Sequence, residues 1–128
     1  MSRFKFVNVN PLDSIEEDCV CRAITNAIGE DYYTVKRRLY LVAELFDCDM
    51  LCVNCYKFLL DEVYKLDRLD EFSGMTINEV LEHLQKGTFL IRVDGHLTII
   101  RNGAIEDIWD CGEEQVRVIW CIWPQFYI

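Results

Sequence analysis

His96-Leu97-Thr98-Ile99-Ile100-Arg101-Asn102-Gly103-Ala104-Ile105-Glu106-Asp107 reads as two strands joined by a two-residue turn. Asn-Gly accepts the positive φ that such a turn demands at both central positions, and the resulting twist suits paired strands. The turn sets Arg101 opposite Ala104 and, continued outward, His96 opposite Trp109. Side chains at 96, 98, 100, 105, 107 and 109 then share one face, with Asp107 diagonal to His96 and Glu106 pointing the other way. Residues 88–93 and 115–122 show the same period. With 96–101 and 104–109 they form a four-stranded antiparallel meander, turning at Asp94-Gly95, Asn102-Gly103 and Cys111-Gly112.

Upstream the period is helical. Val20, Ala23, Ile24, Ala27 and Ile28 mark one buried face of a first helix, with Asp18 placed to cap its start and Gly29 its end. Val35, Leu39, Val42, Ala43 and Phe46 mark a second. Cys52, Cys55, Leu59, Val63 and Leu66 mark a third. Thr76-Ile77-Asn78-Glu79 is a capping box for a fourth, with Ile77, Val80, Leu81 and Leu84 inward and Gly87 as the stop. Residues 3–9 alternate as a short strand or extended arm, and Asn10-Pro11-Leu12-Asp13-Ser14 is a turn. Helices followed by a meander give an α+β fold, and the length of 128 residues gives a single domain spanning 1–128.

The chain is 52 % hydrophobic and 27 % charged, enough apolar matter for a real core. Its formal net charge of −9 repels phosphate backbones, so nucleic acid is not an expected partner; a basic protein surface is a better match. No run approaches the ~18 apolar residues of a membrane span, so no membrane partner is expected. The start, Met1-Ser2-Arg3-Phe4-Lys5-Phe6, lacks the apolar stretch of an export signal. Seven cysteines, an odd number, then read as free thiols in a reducing cytoplasm.

Cys19 is placed on the first turn of the first helix, where the helix dipole favours thiolate. Asp18 beside it opposes that effect unless its carboxylate is engaged elsewhere. Cys21 lies about 200° around the helix and is a poorer nucleophile candidate. His96 on a strand and a carboxylate on the next complete the residue types of a nucleophile, its base and the group that orients the base. Asp107 is the first choice for that carboxylate and Asp110, just past the strand, the second. His83 belongs near the end of the fourth helix, where a cation suits the dipole. Cys48, Cys52 and Cys55 continue one apolar helical stripe and read as core; a zinc site would need a fourth ligand such as Cys111, Cys121 or His83, and no metal or other cofactor is expected. Trp109, Trp120 and Trp123 read as packing.

Six blocks in order carry a resemblance: Asp18-Cys19-Val20-x-Arg22-Ala23-Ile24, Gly74-Met75-Thr76, Gly87-Thr88-Phe89, Gly95-His96-Leu97-Thr98, Ile105-x-Asp107-x-Trp109-Asp110, and Trp120. Together they resemble small papain-like cysteine-peptidase-type domains of phages and bacteria, and are similar to the peptidase domains that trim double-glycine leaders in bacteriocin exporters. The resemblance implies a papain-like fold in which a nucleophile helix packs on an antiparallel sheet. It implies Cys19 as nucleophile, His96 as base and Asp107 as orienting group. Such enzymes place a glutamine shortly before the cysteine to help bind the oxyanion; here that place is Asp13, whose charge opposes an oxyanion. Asn10 or Asn8 is then the candidate donor, beside the Cys19 backbone N–H. The leading expectation is a cytoplasmic cysteine hydrolase of the peptidase, isopeptidase or amidase kind, acting on a peptide or protein through a thioester. The alternative is a non-catalytic acidic binding module, such as a phage protein masking a basic host protein in the host cytoplasm.

Overall fold

The structure is a computed structural model that describes residues 3–122; Trp123 lies outside them. Its elements run β1 (Phe4–Phe6), α1 (Cys19–Ile28), α2 (Tyr32–Phe46), α3 (Val53–Phe58) with a π-helical continuation (Leu59–Val63), β2 (Asp67–Leu69), α4 (Ile77–His83), β3 (Thr88–Val93), β4 (His96–Arg101), β5 (Ala104–Asp107) and β6 (Val118–Ile122). The class is α+β, with four α-helices and a six-stranded sheet among the described residues. No helix among the described residues is long and apolar enough to cross a membrane.

The sheet departs from the expected meander. Its order is β1-β5-β4-β3-β6-β2, and β1 runs parallel to β5, so the sheet is mixed rather than antiparallel. Only β3, β4 and β5 follow one another as neighbours. The chain after β5 crosses back and lays β6 against the other edge of β3, where Leu90 faces Trp120. Both β1 and β2 are drawn from segments that precede α4 and close the two edges.

The decisive hairpin keeps its turn. Arg101 pairs with Ala104 and Ile100 with Ile105, and Asn102 and Gly103 adopt φ of 50° and 79°, as a mirror-image turn requires. The ladder ends sooner than expected. β5 stops at Asp107, so Trp109 is not a strand partner of His96; its ring instead meets the imidazole edge-on, 4.9 Å between centroids.

Alternation along the strands feeds two cores. Leu90, Leu97, Ile99, Trp120 and Ile122 join the inner faces of α1, α2 and α3. Ile91, Val93, Ile100, Ile105 and Ile119 join Ile77, Val80 and Leu81 of α4. The sheet is therefore covered on both faces. The capping box of α4 forms as expected, with Thr76 and Glu79 exchanging hydrogen bonds.

Two helical expectations are corrected. Phe46 is largely exposed and rests against Phe58 rather than completing the buried face of α2. The third helix loses its register at Leu59. The Tyr64 N–H bonds the Leu59 carbonyl, five residues back, which widens the turn. Leu60 is thereby rotated fully into the core while Val63 is turned out, 49 % exposed.

Candidate active site

Cys19 is the first residue of α1, and α1 packs on β4, the strand that His96 begins. The dock is made by apolar residues, Val20, Ala23, Ile24 and Ala27 against Leu97 and Ile99. It brings the Cys19 thiol to the start of β4, where the His96 side chain and the Leu97 backbone N–H are close enough to favour the thiolate. Burial alone would raise the thiol pKa. The His96 side chain, the Leu97 N–H and the positive charges of His96 and Arg22 outweigh burial and hold it below the ordinary value of 9.0. The other thiols with a clear shift move the opposite way. Cys21 and Cys121 are pushed by burial to about 11 and Cys55 to about 12, and Cys48 is also raised.

His96 is held from behind by Asp107. Nε2 lies 2.6 Å from Asp107 Oδ2. Burial disfavours the imidazolium, but hydrogen bonds with Asp107, Cys111 and Cys19 and the charge of Asp107 reverse this, pushing the pKa well above the usual histidine range. Asp107 is 4 % exposed and fully engaged. Oδ2 also accepts from the Thr98 hydroxyl at 2.6 Å, and Oδ1 accepts from the Ile108 N–H at 2.7 Å and Arg22 Nη1 at 3.1 Å. Burial raises its pKa, but these donors, led by His96, hold it below the ordinary carboxylate value.

Arg22, Thr98 and Trp109 were not assigned site roles from the sequence. Arg22 bridges the nucleophile helix and the sheet, binding Asp18 through Nε and Asp107 through Nη1. Its signal was present: it is an arginine one helical turn after Cys19, between residues of an apolar face. Trp109 leans its ring on the imidazole while remaining 45 % exposed.

Asp18, Asp110 and Asn10 depart from expectation. Asp18 makes no capping hydrogen bond; its carboxylate accepts from Arg22, Asn10 and the Tyr32 hydroxyl instead. Its negative charge is thus neutralised away from Cys19. Asp110 is exposed and accepts from the Gly112 N–H at 3.2 Å, closing a turn rather than touching His96. Asn10 is buried, and its amide nitrogen reaches Asp18 at 3.0 Å and Tyr32 at 3.4 Å, so both its N–H bonds are spoken for. Asn8 donates to the Ser14 carbonyl. Asn10 is therefore not free to bind an oxyanion, while Asn8 has one of its two N–H bonds engaged. The Cys19 backbone N–H is a donor that remains, since first-turn N–H groups have no acceptor within their helix.

The thiol opens on a narrow cleft of about 80 Å³ lined by Val20, Leu51, Tyr56, Gly95 and His96. Among the described residues, ligand-type atoms of His96, Asp107 and Cys111 lie within 4.8 Å of one another. That donor set suits zinc in type, but Asp107 already accepts four hydrogen bonds, one from a guanidinium that repels a cation. Cys48, Cys52 and Cys55 interact with one another near the start of α3 and are not part of this group. His83 is in the last turn of α4, its ring 5.5 Å from that of Phe72.

No protein-family model, curated protein or solved structure matches the chain.

Proposed function

We propose that the protein is a papain-like cysteine hydrolase acting on a peptide, isopeptide or other amide bond, with Cys19 as nucleophile, His96 as base and acid, and Asp107 orienting His96. The observation that carries this reading is the set of Cys19, His96 and Asp107, in which a thiol with a lowered pKa shares a cleft with an imidazole fixed by a saturated carboxylate. Asp107 occupies Nε2, which leaves Nδ1 to exchange protons with sulfur and substrate. The Cys19 thiolate attacks the carbonyl carbon, and the oxygen takes the negative charge beside the helix N-terminus. The C–N bond breaks as His96 gives its proton to the amine, leaving a thioester. Water then attacks with His96 accepting a proton, and the C–S bond breaks to release the acid and the thiol.

The papain-like assignment draws support from the nucleophile helix packed on the antiparallel part of the sheet and from the chain order Cys19, His96, Asp107. A cytoplasmic setting, in the host cytoplasm if the protein is phage-encoded, agrees with seven cysteines left as thiols.

One observation favours the second reading, an acidic binding module that keeps the fold without turnover. Asn10, the first candidate for sharing an oxyanion with the backbone, has both N–H bonds turned to Asp18 and Tyr32.

Intact-mass analysis with an activated acyl ester separates the two. The hydrolase acquires one acyl group on Cys19 and loses it with time, and Cys19→Ala acquires none. Acylation of Cys19 no faster than that of a free thiol would favour the binding module.

A further inference from the structure

The cleft over Cys19 has a larger hollow as its neighbour, with two lining residues in common. Val20 and Leu51 line both. The hollow encloses about 250 Å³ beside the N-terminus of α1, and is formed by the segment before that helix, the first turns of α2, and the loop at Asp49-Met50-Leu51. The shared wall at Val20 and Leu51 sets the hollow beside the thiol, within reach of a residue next to the bond under attack.

Its chemistry is divided between floor and rim. Val20 and Leu39 are buried at the floor, with Met50 half-buried above them. Around the rim stand Glu16, Glu17 and Asp49, all exposed. Asp18 also borders the hollow, but its carboxylate is taken by Arg22 and Tyr32. Lys36 is the cation in the lining, its ammonium 5.9 Å from the centre of the Tyr32 ring. Three rim carboxylates therefore face one ammonium. An apolar floor under an anionic rim fits a side chain with a methylene stem and a cationic head, which packs its stem on hydrocarbon and keeps its charge at the water's edge.

We propose that this hollow is a substrate subsite for a lysine or arginine side chain, so that the hydrolase selects peptides with a basic residue close to the bond it attacks. The inference rests on the hydrolase reading and adds its substrate class.

Matched peptidyl acyloxymethyl ketones test it. They differ only in carrying lysine, norleucine or glutamate at each of the two residues preceding the electrophile, and modification of Cys19 is followed by intact mass. Each rate is divided by the rate of the same protein with iodoacetamide, which reads the thiol without the subsite. Exposed charge pairs set the scale: the lysine probe is expected to react about 1.5- to fivefold faster than the norleucine probe at one position, with glutamate slowest. The preference should shrink at high salt and fall toward unity in the double variant Glu17→Gln/Asp49→Asn. Equal lysine and norleucine rates at both positions, with iodoacetamide still selecting Cys19, would overturn the subsite and leave the hydrolase reading standing. Iodoacetamide labelling that no longer favours Cys19 would overturn the hydrolase reading and the subsite with it.

Discussion

Replacing Arg22 with methionine is expected to expose how the site is held together. The methionine keeps most of the stem's volume and removes the guanidinium. In the wild type that group lies between two buried carboxylates, its own side chain 7 % exposed against 8 % for Asp18 and 4 % for Asp107. Removing one partner of a buried ion pair leaves an uncompensated charge and costs about 3–5 kcal/mol. Against a total stability of about 5–15 kcal/mol, the variant still folds but is strongly weakened. In urea melts at neutral pH the midpoint should fall by about 1–5 M for a slope of about 1–3 kcal/mol/M. Arg22→Lys, which keeps the charge and loses the fork, should lose less. Acid supplies a second readout. Asp18 and Asp107 both have lowered pKa values in the folded protein. The stability they contribute is present above the unfolded carboxylate pKa of about 4 and is lost as pH falls through their lower folded values. The wild type therefore weakens in acid while the variant, whose carboxylates have lost the guanidinium and protonate more readily, is relieved, and the gap between them narrows. A loss below about 1 kcal/mol at neutral pH, or a gap that stays constant into acid, would refute the ion-network reasoning.

Two further pairs of variants separate competing assignments. Asp107→Asn should raise the midpoint of Cys19 alkylation and slow acylation by about 100-fold or more, because the imidazolium loses its counter-charge. Asp110→Asn, whose side-chain oxygen can still accept from Gly112, should match the wild type in the same assays. Leu60→Ala should cost about 2–5 kcal/mol in a urea melt, since Leu60 is fully buried. Val63→Lys should cost almost nothing; the reverse order would mean that the third helix keeps an uninterrupted α register.

Much of this arrangement is written locally. The apolar spacing from Val20 to Ile28 marks α1 and its buried face, Asn102-Gly103 specifies the turn and its pairing, and Thr76 with Glu79 marks the start of α4. These signals depend on neighbours within a turn or two. Strand order does not. Alternation in 118–122 tells which residues face which core, but not that β6 returns to the far side of β3, nor that Phe4–Phe6 pairs in parallel with β5. The widened turn at Leu59 was hidden because Leu59, Leu60 and Val63 are all apolar, and a helical stripe can be drawn through any two of them. The site was legible in its residue types and in the hairpin that sets Asp107 diagonal to His96. Its support was not, because Arg22 reaches Asp107 only once α1 has docked, and Asn10 is committed to Asp18 and Tyr32 across three separate segments.

The central claim is that His96 activates Cys19, and the most direct test is the pH dependence of Cys19 alkylation, followed by peptide mapping, in the wild type and in His96→Gln. In the wild type Cys19 should be the fastest-labelled cysteine, with a midpoint below the ordinary thiol value of 9.0. In His96→Gln burial is left unopposed by the imidazolium, so the midpoint should rise toward or past that value and the selectivity for Cys19 should fade. Identical midpoints in the two proteins, or a wild-type midpoint at or above 9.0, would contradict the account.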